Sequence, residues 1–187
     1  MSELFVDKIS SQGGTSALDI RSNGIVENKA FCGFSVGLAN NTDQTGIANA
    51  TYTKAEFIKT NVDHAFDTHN GWSDTDHAYT VPTDCGGYWL LSSWAEFNVT
   101  TVSNIVTITK GTTVTGDNSQ HYVRSILGDN TASSPNTQPL NSFMVFLNAG
   151  ESVHTQIYHS YGSNANILAP DPTDNYIRSG MQGWRIG

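Results

Sequence analysis

The sequence predicts an all-β sandwich or barrel, and three observations carry that prediction. The first is composition: of 187 residues only 14% are charged, and Thr, Ser, Asn and Gly take up the difference. Ser and Asn compete for backbone hydrogen bonds, Thr is stiff at its first side-chain torsion, and Gly costs chain entropy, so all four disfavour helix interiors. The second is a succession of short apolar runs punctuated by Gly, Pro and Asn, spaced as in a sandwich or barrel. The third is an aromatic content of 10%, too much core material for a disordered chain. The length suits one compact domain with a short appendage and suffices to bury a core without staples.

The elements follow in order. Residues 1–29 form a β-rich connector: LFVDKI is broken by SQGG, and ALDI by RSNG with its Asn23-Gly24 turn. Strands this short cannot bury an apolar face alone, so the segment must lean on the main domain, on a second copy or on a docking partner. The head, residues 30–187, opens with FCGFSVGL. A polar stretch leads to a run over 57–68, then AYTV stopped by Pro82, YWLLSSWAEFNVT, NIVTITKG and HYVRSIL. A long loop with Pro135 and Pro139 precedes FMVFLNAG and ESVHTQIYHSY, which read as a hairpin about Ala149-Gly150. A loop with Pro170 and Pro172 then leads to YIRSGMQGWRIG.

Strand parity is more informative than strand position. Successive side chains alternate between the two faces of a sheet. From Tyr88 to Phe97, Tyr88, Leu90 and Trp94 share one face, and Trp89, Leu91, Ala95 and Phe97 the other. Both are apolar. Phe143, Val145 and Leu147 against Met144 and Phe146 repeat the pattern. Over 153–161 the alternation reads more cleanly, with Val153, Ile157 and Tyr161 opposite His154, Gln156 and Ser160. Leaving a Phe-sized side chain in water forfeits about 1.5–3 kcal/mol relative to burying it, and adjacent strands doing so make a patch seldom left bare on a monomer. The expected remedy is self-association. A helix or long loop of the same chain over that face is the alternative, and few residues remain to supply one.

The net charge of −8 repels nucleic acid and excludes it as a partner. No run of 18 apolar residues exists, so membrane insertion is not expected. The opening MSELFVDKISSQ lacks the apolar stretch of a secretory signal. The two cysteines, Cys32 and Cys85, lack metal or redox spacing; two free thiols are the expected state, with one disulfide as the alternative. The Asn-x-Thr sequons at Asn40, Asn49 and Asn98 read as Asn and Thr of turns and strands.

Four aspartates and three histidines crowd residues 63–77, DHAFDTHNGWSDTDH. Zinc needs three or four converging ligands, and no HExxH or related spacing is present. A calcium loop of the EF type fails at its third ligand, which leaves Asp74 and Asp76 as the weak metal candidates. The expected reading is a strand followed by a loop, with no cofactor and calcium as the alternative. No nucleophile elbow, phosphate-cradling loop or Cys–His arrangement points to catalysis, so no enzyme is expected.

Several motifs together resemble the complement C1q and tumour-necrosis-factor-like jelly roll. FSVGL is similar to that family's first strand. TNVDHAFD resembles a later strand, with Asn61, Phe66 and Asp67 in register. AYTVP followed by CGGYWLL resembles its Pro–Gly–aromatic junction, through Pro82, Gly87 and Tyr88. FLNAGESVHTQIYH resembles its L-x-x-G-D-x-V turn, with Glu151 in place of Asp, and SGMQGWRI its closing strand. The likeness covers residues 30–187. It implies a ten-stranded jelly-roll β-sandwich, preceded here by the short β-rich N-terminal connector, that assembles as a homotrimer. Trimer-interface or core candidates are then Tyr88, Trp89, Leu91, Trp94, Phe97, Phe143, Met144, Phe146, Tyr158 and Trp184.

The connector resembles the β-rich N-terminal segments of bacteriophage tail fibres and virion appendages. That likeness implies a virion structural protein assembled in the cytoplasm of a bacterial host, docked to other virion proteins through residues 1–29. It would present loops to a host-surface glycan or protein, because loops on rigid scaffolds carry recognition. The candidate loops are 69–77, 128–141 and 163–174, with His69, Trp72, His77, Asn136, Asn164 and Asn166 as binding candidates. A purely architectural virion decoration and a cellular carbohydrate-binding or adhesion module are the alternatives.

Overall fold

A computed structural model describes residues 8–10, 16–20, 26–28, 31–60, 65–99, 103–128, 140–170 and 177–186. The chain divides into two units, Met1–Cys32 and Gly33–Gly187. The first holds a three-stranded antiparallel sheet of β1 (Lys8–Ser10), β2 (Ser16–Ile20) and β3 (Val26–Asn28), in that order.

The second unit is a sandwich. Its strands are β4 (Gly33–Gly37), β5 (Gln44–Ile47), β6 (Thr53–Lys54), β7 (Phe66–Asp67), β8 (Trp72–Ser73), β9 (Ala78–Thr80), β10 (Gly87–Trp94), β11 (Ser103–Lys110), β12 (His121–Gly128), β13 (Leu140–Leu147), β14 (Ser152–His159), β15 (Ala165–Ile167) and β16 (Gly180–Arg185). One sheet runs β13-β10-β16-β4-β7. The other runs β12-β11-β14-β9-β8, with β6 also paired to β14, and β15 pairs with β5 separately. Every pairing is antiparallel. The described residues contain no α-helix. The architecture is the jelly roll that the motifs implied, with β5, β6, β7, β8 and β15, each of two to four residues, carrying the strand number above ten.

The core lies between the two sheets. Phe34 and Trp89 come from the five-stranded sheet, Tyr79 and Trp72 from the other, and all four are buried. Phe34 stacks on Tyr79 with ring centroids 4.1 Å apart, and Trp89 tilts against Tyr79 at 5.3 Å. Around them Val36, Leu91, Val106, Ile108, Leu147, Val153, Ile157 and Met181 fill the interior. Gly183 of β16 stands between Phe34 and Leu91 in register, so a small position faces two large ones, as close packing requires.

The structure corrects several expectations. The segments about Ala149-Gly150 are no hairpin: β13 pairs with β10 in one sheet, and β14 with β11 in the other. The turn is a corner between sheets. Gly150 takes φ +84, and Glu151 accepts a bond from Asn148 N at 2.7 Å, which closes the turn locally whatever strands it joins.

The alternation expected over 153–161 fails as well. Val153 to Ile157 and His159 are all buried, the polar residues included. The face carrying His154 and Gln156 does not meet water, because the turn after β11 lies over it, bonded to both side chains.

Of the run read over 57–68, only Phe66–Asp67 is a strand among the described residues; positions 61–64, Asn61 included, lie outside them. In it Phe66 is exposed and the Asp67 carboxylate is buried. The cysteines are not free thiols. Both are disulfide-bonded, and as the chain has only these two, each is the other's partner. Their wide separation in sequence carried no signal of proximity.

Three predictions follow from the packing and the disulfide. A Cβ at Gly183 would lie 2.5 Å from Phe34 Cε1 and 2.7 Å from Leu91 Cδ2, so Gly183→Ala is expected to cost about 1–3 kcal/mol, read as a lowered urea midpoint with unchanged slope. Replacing both Cys32 and Cys85 by Ala opens a loop of about fifty residues and is expected to lose about 4 kcal/mol on the chain-entropy account, measured in the same assay. Native protein should show no thiol reactive to a disulfide-exchange reagent until it is reduced.

Candidate functional site

The most distinctive surface is the outer face of the five-stranded sheet. Tyr88 is 53% exposed, Leu90 38%, Met144 58% and Phe146 52%. Register brings them together: Tyr88 stands opposite Phe146, and Leu90 opposite Met144 on one side and Trp184 on the other. The Tyr88 and Phe146 rings meet edge-on at 5.2 Å. Ile186, exposed too, is held beside them by its N–H to Tyr88 O at 2.8 Å. The patch is continuous, apolar and rigidly backed, because the alternate residues of β10, Trp89 and Leu91, are locked in the core. Trp89 Nε1 donates to Cys85 O at 3.0 Å, so its one polar atom is satisfied and the parity cannot easily flip.

The interface-or-core candidates therefore divide. Tyr88, Met144 and Phe146 lie on the exposed face, and Trp184 beside them is half-buried. Trp89, Leu91 and Phe97 are core. Trp94 is half-buried, with Nε1 bonded to Ile177 O at 2.8 Å. Phe143 stacks on Tyr122 at 6.3 Å, and Tyr158 packs on Tyr52 at 5.2 Å. Leu90 and Ile186 were missing from the candidates; parity alone identifies Leu90, whereas Ile186 joins the face only through the register of β16.

The loop candidates are scattered. Trp72 is not a loop residue: it forms β8 and is buried 5.6 Å from Phe34, unavailable to a ligand. His69 bonds Thr68 Oγ1 at 2.8 Å. It lies within 4.8 Å of the Cys85 sulfur, but a sulfur tied in a disulfide is no thiolate ligand. His77 has a left-handed backbone, φ 48, and its Nδ1 bonds Phe57 O at 3.0 Å. Asn164 is exposed, and Asn166 accepts Gly46 N at 3.2 Å. Asn136 lies outside the described residues. A polar cleft of about 490 Å³, lined by Asn41, Thr42, Thr45, Pro170 and Arg178 among others, sits where loops 41–45 and 168–170 meet; no sequence motif marked it.

The acidic, His-rich stretch is a hydrogen-bonded scaffold. Buried Asp67 accepts Trp72 N at 2.8 Å and His69 N at 3.3 Å, with Lys59 Nζ at 3.6 Å. Asp74 accepts Lys59 N at 2.8 Å and the Thr60 hydroxyl. Asp76 accepts Ser73 Oγ at 2.9 Å. The two weak metal candidates thus already serve the fold: each ties its turn to itself or to the preceding segment.

Solved structures share this architecture. A tumour necrosis factor, Eiger from S. frugiperda, superposes with TM-score 0.56 at 8% identity, over 84% of this chain and 93% of that one. Murine APRIL superposes with TM-score 0.52 at 13% identity, over 82% and 97%. At such identities the likeness is one of fold, and it defines the class: an all-β, TNF-like jelly roll. No family profile and no curated protein sequence matches the chain.

Because Asp74 satisfies two donors with one carboxylate, Asp74→Ala is expected to cost about 1–3 kcal/mol. Thermal unfolding of the variant beside the wild type is the check; with Asp74 and Asp76 serving the fold rather than an ion, the wild-type melting temperature should be insensitive to added calcium.

Proposed function

We propose that this protein is a homotrimeric, non-enzymatic jelly-roll head that binds by its loops, carried on a virion as a tail-fibre, knob or capsid appendage. The observation that carries the proposal is the exposed Tyr88, Leu90, Met144 and Phe146 face. Each such side chain left in water forfeits about 1.5–3 kcal/mol, and contiguous apolar surface on rigid strands marks a protein contact. A second and third copy supply an occupant of matching chemistry, and closed cyclic symmetry lets one patch serve every subunit. Binding rather than catalysis fits the histidines: His77, His121, His154 and His159 all bond backbone carbonyls, which engages them with the fold rather than with a nucleophile.

The virion setting is supported by the likeness of residues 1–29 to phage fibre connectors, and the disulfide suits a particle surface exposed to an oxidising medium. The turns at 68–70, 74–77 and 161–164 and the cleft beside Arg178 are the recognition surfaces of this reading, since β8 and β15 occupy the middle of two of the loops expected from the sequence, and they are directed at a host glycan or protein.

Light scattering on the purified protein is expected to give about three times the chain mass of 20.2 kDa. Paired substitution of Met144→Glu and Phe146→Glu should reduce it to the single-chain mass with the sandwich still folded. A wild-type monomer would sink the trimer. Trimers that bind intact bacterial hosts support recognition, and trimers that bind none support a purely architectural role.

A further inference from the structure

A buried polar group lies beneath the turn that joins β11 to β12, apart from the apolar face and the cleft. Ser93 of the opposite sheet bonds Thr155 at 2.7 Å, so Thr155 faces the sandwich interior, and His154 and Gln156 point the other way. On that outer face Thr109 stands directly opposite His121 on one side and His154 on the other. The three side chains form one row across three strands.

Everything in and beside this row grips the same short segment, residues 111–115. His154 Nδ1 bonds Gly111 O at 2.7 Å, and Lys54 Nζ reaches Thr112 O. His121 Nε2 lies 3.4 Å from Thr115 O. Gln156 accepts Thr115 N at 2.9 Å while donating to Thr109 Oγ1 at 2.7 Å. Thr112, Thr113 and Val114 are themselves exposed, so these contacts, with Gly111 N to Ser152 O at 2.7 Å, are what hold the segment down.

A ring nitrogen that donates to a carbonyl leaves the other as a bare lone pair in the neutral imidazole. Here His154 Nε2 and His121 Nδ1 are both buried and accept nothing. Protonation would turn His154 Nε2 into a buried donor with no acceptor, beside the Lys54 ammonium. Of the carboxylates nearby, Asp76 is bonded to Ser73, and Asp117, bonded to Ser119 N and Oγ, also faces His121 electrostatically. Thr107 and Gln156, packed against the row, are neutral, Arg124 stands opposite Thr107 in register, and Tyr52 covers His121 with its ring 5.5 Å away.

We propose that residues 111–115 form a proton-sensitive latch: protonating His154 lifts the segment off the sheet and hydrates its imidazole while the sandwich stays folded. Burial, opposed by the bond to Gly111 O and aided by Lys54 and His121, holds His154 at about 4, below its ordinary 6.5. The opened form therefore takes up the proton first. The closed latch is fully favoured above the ordinary value and loses that advantage as pH falls towards the lowered one.

Amide exchange, corrected for the intrinsic effect of pH, tests this in the intact protein. From about pH 7 to about pH 4.5, protection of the bonded amides of Gly111 and Thr115 should fall by about tenfold or more, while β10, β11 and β16 keep theirs. In the His121→Gln, His154→Gln double variant the loss should vanish. Unchanged protection in the wild type, loss shared with the core strands, or the same loss in the variant would each overturn the latch. Should the variant not fold, imidazole nitrogen shifts in the wild type decide: His154 must titrate in the interval where the segment opens, and titration outside it rejects the proposal.

Discussion

Phe34 stacked on Tyr79 is the contact on which the rest depends. The rings belong to different sheets and lie 4.1 Å apart, with Trp72 and Trp89 closing around them. Aromatic side chains bury large areas and add a geometric preference of their own, so this cluster sets the spacing of the two layers. Its demands spread outward. Gly183 must lack a side chain for Phe34 and Leu91 to meet it. Trp89 must point inward, and by strand parity that forces its neighbours Tyr88 and Leu90 out to the surface. The candidate assembly face is thus the obverse of the core.

The second sheet solves the same problem differently. Its outer face is roofed by a turn of its own chain rather than left apolar. Roofing a sheet with irregular backbone requires partners for the turn's polar groups, and His154, Gln156, Lys54 and His121 supply them. One face is greasy and open, the other polar and closed. An open apolar face suits a rigid protein contact, whereas a polar face closed by hydrogen bonds can respond to solvent conditions.

Local chemistry made part of this legible. Composition and turn residues suffice for an all-β chain, and period-two alternation separates Tyr88 and Leu90 from Trp89 and Leu91, because a strand's two faces are written in consecutive letters. The acidic, His-rich stretch was read as a strand and loop for a similar reason: it lacks the spacing of a known ligand motif. Asp67, Asp74 and Asp76 prove to bind backbone amides and neighbouring hydroxyls.

What the sequence determined by itself was the fold class, the strand segments of the longer ladders and the split of β10 into two apolar faces, but not which of them meets the core. These depend on neighbours one or two residues apart. Only the tertiary structure decided that the Ala149-Gly150 turn joins two sheets, that Trp72 is core, that His154 and Gln156 are buried and that Cys32 meets Cys85. Each of those outcomes depends on a partner remote in the chain, and a turn closes the same way whichever ladder its strands go on to join.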